Sequence, residues 1–150
     1  DYANKIYDKG CLESLSSGPN IAKRAVEEMQ RGAETLILKM ADGEPNLVTG
    51  EIVFEAARKG DSVALKIVKQ TAEFLGIAIS NIISMLNPEA VVIGGGVGLS
   101  CDLLLDPVNK IVKTYSQPLA AKRVKIVPSK LGANASLMGC AKMVFDSTPC

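Results

Sequence analysis

The sequence predicts an α/β protein that is rich in helix and has a small parallel sheet. Three observations carry this. Ala90-Val91-Val92-Ile93 is a short β-branched run that leads straight into Gly94-Gly95-Gly96-Val97-Gly98. A second alternating run, Val124-Lys125-Ile126-Val127, follows one helix later, which makes a strand–glycine loop–helix–strand unit with a right-handed crossover. The stretch before the first strand is dominated by apolar residues at helical spacing.

Taken in order, residues 1–18 have no clear period and read as an extended segment and a loop, with residues 1–8 available as a third strand. Ser17-Gly18-Pro19 is a helix start signal. The helix from about Pro19 to Gln30 repeats Ile21, Ala22, Ala25, Val26 and Met29 on one face and sets Lys23, Arg24, Glu27 and Glu28 on the other. Residues 31–48 contain Gly32, Gly43 and Pro45 and read as a connection with a short apolar piece at Leu36 to Leu38. Thr49 caps a helix of about Gly50 to Lys59, with Ile52, Val53, Ala56 and Ala57 inward and Gly60 ending it.

The longest helix starts at Asp61 or Ser62 and stops at Asn87-Pro88, because the residue before a proline avoids the α region. Its second half, Leu75 to Leu86, is apolar nearly all round and should be buried on several sides. The strand at 90–93 should be buried as well. A helix of about Asp102 to Ser116 follows the glycines, with Pro107 near its start or at a break. After the second strand, Asn134 caps a final helix through Leu137, Met138, Ala141, Met143, Val144 and Phe145. The chain thus divides into a loop or extended segment (1–18), a helical part (19–89) and a βαβα part (90–150), together one domain.

Composition removes many functions. The 150 residues include 17 basic and 16 acidic side chains, for a net charge of +1. That balance gives no basic field for nucleic acid. There is no His, which excludes a His general base, a Ser-His-Asp triad and His metal ligands. Aromatic residues are 4%, too few for a stacking platform. Cys11, Cys101, Cys140 and Cys150 are irregularly spaced with no C-x-x-C pair, which reads as reduced thiols, Cys101 and Cys140 being small core residues. No signal-peptide pattern opens the chain, and Leu75 to Leu86 is too short to span a bilayer. A soluble cytoplasmic protein is expected, with no membrane or nucleic-acid partner.

The glycine run carries the functional signal. Without Cβ atoms the backbone can approach a ligand closely, and ligands of open α/β sheets collect at the carboxyl ends of the strands. No Gly-Lys-Ser/Thr follows, so it is not a P-loop, and no acidic residue stands where a dinucleotide fold contacts ribose. The run alone leaves two readings open: a nucleotide-binding turn, or a tight strand-to-helix turn packed for its own sake.

Several segments in order decide further. Gly10-Cys11-Leu12-Glu13 precedes Ser17-Gly18-Pro19-Asn20-Ile21, then Thr49-Gly50-Glu51-Ile52-Val53-Phe54-Glu55-Ala56-Ala57 and Gly60-Asp61. Leu86-Asn87-Pro88-Glu89-Ala90-Val91-Val92-Ile93-Gly94-Gly95-Gly96-Val97 and Leu131-Gly132-Ala133-Asn134-Ala135-Ser136-Leu137-Met138-Gly139-Cys140-Ala141 complete the series. From Gly10 on, the chain resembles the C-terminal part of the ROK family, which comprises sugar kinases such as glucokinase and fructokinase together with sugar-responsive repressors. The resemblance implies an actin-like ATPase (ribonuclease H-like) fold, of which this chain is an incomplete C-terminal lobe. It implies that Gly94, Gly95, Gly96 and Val97 bind nucleotide and that Glu13 binds sugar hydroxyls, a role that suits a carboxylate. ATP and Mg belong to the full-length family.

The departures are specific. The family's zinc site uses one His and three Cys. Here Cys11 matches the last cysteine, Asn4 and Ile6 stand at the other two, and His is missing, so no zinc is expected. The Asp-x-Gly-Gly-Thr phosphate loop and the catalytic Asp lie in the family's other lobe, so no residue here is assigned as catalytic and the isolated chain is expected to be inactive. Two further readings stand beside the kinase: the effector-binding part of a repressor, and an inert oligomeric remnant. A sheet this small leaves apolar surface around Ile77 to Met85, so a homo-oligomer is expected.

Overall fold

The computed structural model describes residues 11–147. A segment predicted as loop opens with one helical turn, α1 (Leu12–Ser16), so part of the expected loop is corrected to helix. The possible strand at residues 1–8 lies outside the described residues. Helix α2 (Gly18–Gln30) follows with Pro19 in its first turn, where a missing N–H costs nothing. The expected connection holds a second short helix, α3 (Leu36–Met40), and a 3-10 turn at Pro45–Leu47. Five residues are too few to display a helical period, which is why neither α1 nor α3 is visible in the pattern.

Helices α4 (Gly50–Arg58) and α5 (Ser62–Leu86) sit where the caps place them. The Thr49 hydroxyl accepts from the Ile52 amide, and the Asp61 carboxylate accepts from the Ala64 amide. The α5 helix ends on Asn87 in the left-handed region (φ 43°), immediately before Pro88. Strand β1 (Ala90–Ile93) then leads to a single helical turn, α6 (Gly95–Gly98), and to α7 (Cys101–Tyr115). Pro107 lies inside α7 with no break, and so corrects the expected position near its start. A short helix not foreseen, α8 (Pro118–Arg123), precedes strand β2 (Lys125–Pro128). A 3-10 turn at Gly132–Asn134 runs into α9 (Ala135–Ser147).

Strands β1 and β2 pair in parallel, Val91 opposite Ile126 and Ile93 opposite Pro128, as the βαβ reading requires. The core lies among the helices. Ile21 and Ala25 of α2, Val53 and Ala56 of α4, Ile67 and Ala72 of α5, and Leu104, Val108 and Val112 of α7 are all buried. Helix α5 is the spine, packing on α1, α2, α4 and α7.

Two burial expectations fail for one physical reason. Among residues 90–93 only Ile93 is buried, and Val92 is 61% exposed, because among the described residues each strand has one neighbour and one covered face. The second half of α5 buries Gly76, Ile79, Ser80 and Ile83 but leaves Ile77, Ile82, Met85 and Leu86 exposed. It is covered on one side rather than several. Cys101 is buried as expected, but Cys140 is exposed, because α9 has no buried residue.

Candidate nucleotide-side and sugar-side residues

The glycine turn is built by β1. Its last residue, Ile93, accepts a hydrogen bond at its carbonyl from the Ser129 amide just past β2, at 2.8 Å. Gly94 remains extended and caps α6, and Gly95 takes φ 68°, which side chains disfavour. Gly98 closes the turn against the strand. A Cβ there would lie 2.7 Å from the Ile93 carbonyl oxygen, so only glycine lets the backbone fold back this tightly. Gly94, Gly95 and Gly96 are exposed, whereas the Val97 side chain packs against the core. The first three therefore present bare backbone, and Val97 fixes the turn to the scaffold.

Beside the turn lies a groove of about 370 Å³ lined by Met40, Glu51, Ile52, Glu55, Arg58, Gly96, Leu99 and Ser100. The Glu51 carboxylate reaches across it: its Oε1 lies 3.6 Å from the position a Cβ on Gly96 would take. The far wall is braced by Arg58, whose Nε and Nη2 donate to Asp102 at 2.8 Å each, a forked pair that ties α4 to α7. The Asp102 partner raises the Arg58 pKa, and Arg58 in turn lowers that of Asp102. The groove residues from α4 were not assigned from the sequence. Thr49 to Ala57 stood out there only as a matching segment, and no spacing rule points a first-turn glutamate at a glycine turn formed 45 residues later in the sequence.

Glu13 lies on α1. Its carbonyl accepts from the Ser17 amide at 3.0 Å and from Asn20 Nδ2 at 3.4 Å. The structure does not bring Glu13 and Gly96 into one cavity, since Glu13 is absent from the groove lining. The starts of α2, which follows Glu13, and of α4, which walls the groove beside Gly96, do meet. Gly18, which starts α2 just after α1, touches Gly50 so closely that a Cβ on Gly50 would lie 2.9 Å from the Gly18 Cα. Glu51, the next residue, faces Gly96.

Cys11, which matches the last cysteine of the family's zinc motif, is a half-buried free thiol. Its hydrogen bonding with Ser14 lowers its pKa. Burial pushes Cys101 in the opposite direction. Among the described residues no group of three or more His, Cys, Asp or Glu is placed to hold a metal ion. No helix among them is long and apolar enough to cross a membrane.

Comparison with known proteins bears directly on this geometry. The model of the ROK family matches residues 8–147. A glucokinase of Halalkalibacterium halodurans is 36% identical over 87% of this chain and 39% of its own length. A xylose repressor of Caldicellulosiruptor bescii is 27% identical over 91% of this chain and 34% of its own. The crystal structure of a ROK family glucokinase from Streptomyces griseus, in complex with glucose and AMPPNP, superposes with a TM-score of 0.78 at 28% identity. The match covers 89% of this chain and 44% of that one. The chain thus spans about two-fifths of the length of the relatives it matches.

Proposed function

Because the chain belongs to the ROK family, we propose that it is the nucleotide-side part of an ATP-dependent sugar kinase that transfers the ATP γ-phosphate to a hexose hydroxyl. Its fold is the C-terminal lobe of an actin-like ATPase, helix-rich with a small parallel sheet. One observation carries the reading. Three exposed glycines end a parallel strand beside a groove walled by Met40, Ile52 and Leu99, in a chain that superposes on a kinase solved with glucose and a nucleotide analogue.

Each residue has a task in this reading. Gly94, Gly95 and Gly96 let the nucleotide lie against backbone, and Val97 holds the turn. Met40, Ile52 and Leu99 offer an apolar surface of the kind a base needs, while Glu51 supplies acceptors at the groove's mouth. Glu13 accepts hydrogen bonds from sugar hydroxyls. No residue of this chain is assigned to proton transfer, and phosphoryl transfer needs charge stabilisation from both sides of the moving group. Mg accompanies the ATP, and the described residues supply no ligand cluster for it or for zinc.

A ROK repressor is the second reading, favoured by the xylose repressor match. The kinase is preferred on the higher identity to the glucokinase. The coding sequence upstream separates them: an Asp-x-Gly-Gly-Thr loop marks the kinase and a helix-turn-helix the repressor. We carry a cytoplasmic location and a homo-oligomer into the same proposal, the latter on the exposed Ile77, Ile82, Met85 and Leu86.

Calorimetric titration with Mg·ATP tests the central assignment. Saturable binding is expected, weakened at least tenfold by Gly96→Val, whose side chain would enter the groove without touching the core. Absence of saturation up to millimolar nucleotide, or equal binding by the variant, overturns it. Glucose phosphorylation by these residues alone is expected to be nil.

A further inference from the structure

Arg24 was placed by helical spacing on the outer face of α2, with Lys23, Glu27 and Glu28. The structure puts it elsewhere. Its guanidinium turns inward between α1 and α5 and lies over the Phe74 ring at 5.6 Å. Nη2 donates to the Leu15 carbonyl at 3.0 Å and to the Thr71 hydroxyl at 2.7 Å, and Nη1 donates to Gln70 Oε1 at 3.3 Å. Thr71 is fully buried, and its own hydroxyl donates to the Ile67 carbonyl, which leaves a lone pair aimed at Arg24. All three acceptors, a carbonyl, a hydroxyl and an amide oxygen, are neutral. Arg24 Nε is buried with no partner. Half-burial of the guanidinium lowers the Arg24 pKa, and the buried Nε with no partner carries a desolvation cost of its own.

What the arrangement secures is α1. That helix has five residues, far below the length that is stable by itself. Its N-cap, Cys11, makes no side-chain cap bond, and Ser16 is its one buried residue. Asn20 reaches the Glu13 carbonyl only at 3.4 Å. Arg24 of α2 therefore bridges the Leu15 carbonyl of α1 to Thr71 and Gln70 of the α5 spine, and Leu15 lies two residues from Glu13.

We infer that Arg24 is a positioning residue: it seats α1 on α5 and so sets where the Glu13 carboxylate points. The inference rests on the sugar-side reading of Glu13 for its functional consequence, but the seating of α1 is readable without any ligand.

Hydrogen exchange and glucose titration of the whole chain test it together. In Arg24→Met the Ser16 and Ser17 amides of α1 are expected to lose protection about tenfold, the effect of losing a charge-assisted hydrogen bond, while amides of α5 around Ala72 keep theirs. Glucose affinity should fall severalfold in step. Arg24→Lys, which keeps the charge and donors on a single nitrogen but not the fork, and Thr71→Val, which removes one acceptor, should each give intermediate loss. Unchanged protection at Ser16 and Ser17 overturns the inference. So does an equal loss in α1 and α5, which would mean general destabilisation, or a loosened α1 with undiminished glucose affinity. If Arg24→Met does not fold, the Lys and Val variants decide by the same readouts. If the wild-type chain binds no glucose, the reading of Glu13 fails, and the exchange data still decide whether Arg24 seats α1.

Discussion

The helical part, from α1 to Asn87, is no more apolar in sequence than the strand part, from Ala90 to α9, yet the two end in different states. In the first, helices α2, α4 and α5 bury their apolar stripes against one another, and Ile21, Val53, Ala56 and Ala64 are fully enclosed. In the second, β1 and β2 bury one residue each, and α7 alone contributes a buried stripe, which it presses onto α5. Helix α9 buries nothing and meets little beyond the Gly132–Asn134 turn. A helix pair can close its own interface, whereas a two-stranded sheet has an open edge and an open face whatever its residues are. The glycine turn stands on the boundary: its strand belongs to the loose part, and its groove is walled by α4 of the tight one.

The largest expected effect tests the tight part. Ile67 sits in the second turn of α5 and is 1% exposed. Ile67→Ala should lower unfolding stability by about 2–5 kcal/mol, the transfer loss plus a cavity that the surrounding helices cannot fill. Val92→Ala in β1 should cost less than about 1 kcal/mol, since most of that side chain is already in water. Urea unfolding of both variants checks the contrast, and equal losses would break it.

A middle-sized effect lies at the joint of two helices, α3 and α5. The Asp61 carboxylate accepts from the Ala64 amide at 2.8 Å, the Leu36 amide at 2.7 Å and the Thr35 hydroxyl at 2.9 Å. It thus caps α5 and anchors the start of α3. Burial pushes its pKa up, but these hydrogen bonds prevail and hold it below the usual carboxylate value. A carboxyl with a lowered folded pKa stabilises fully above its unfolded value, about 4, and loses that contribution as pH falls through the folded value. Asp61→Ala should cost about 1–3 kcal/mol at neutral pH, and the difference from wild type should shrink below about pH 4. Thermal unfolding across that range reads both. Some acid sensitivity should persist in the variant, because Lys66 and Arg58 also lower the pKa values of Glu28 and Asp102.

Much of this was legible in the chain because caps and stops act locally. Thr49, Asp61 and Asn87-Pro88 fix the ends of α4 and α5 through bonds and dihedral limits that involve only near neighbours, so their positions follow from residue type. The parallel pairing of β1 and β2 follows from the helical crossover between them, which the structure builds from α6, α7 and α8. What stayed hidden depends on distant partners. Arg24 has the spacing of a solvent residue, and only the arrival of Thr71 and Gln70 some 46 residues later turns it inward. The Glu51 side of the groove exists only once α4 and α6 lie side by side. The burial of β1 was overestimated because a β-branched run shows what a strand can bury, and it does not show how many neighbours the strand has.

The smallest expected effect concerns α9, where the contrast between the parts is sharpest. Phe145 is 77% exposed and Met143 is 72% exposed, so their side chains gain almost nothing from folding. Phe145→Ser should leave urea-unfolding stability within about 0.5 kcal/mol of wild type, the range of surface changes. A comparable substitution of a buried phenylalanine costs several kcal/mol, so the two cases are far apart. A loss above about 1 kcal/mol in dilute solution would mean that α9 folds back onto the core or onto a second copy of the chain. Repeating the measurement over a range of protein concentrations separates those two, because only the second makes the loss depend on concentration.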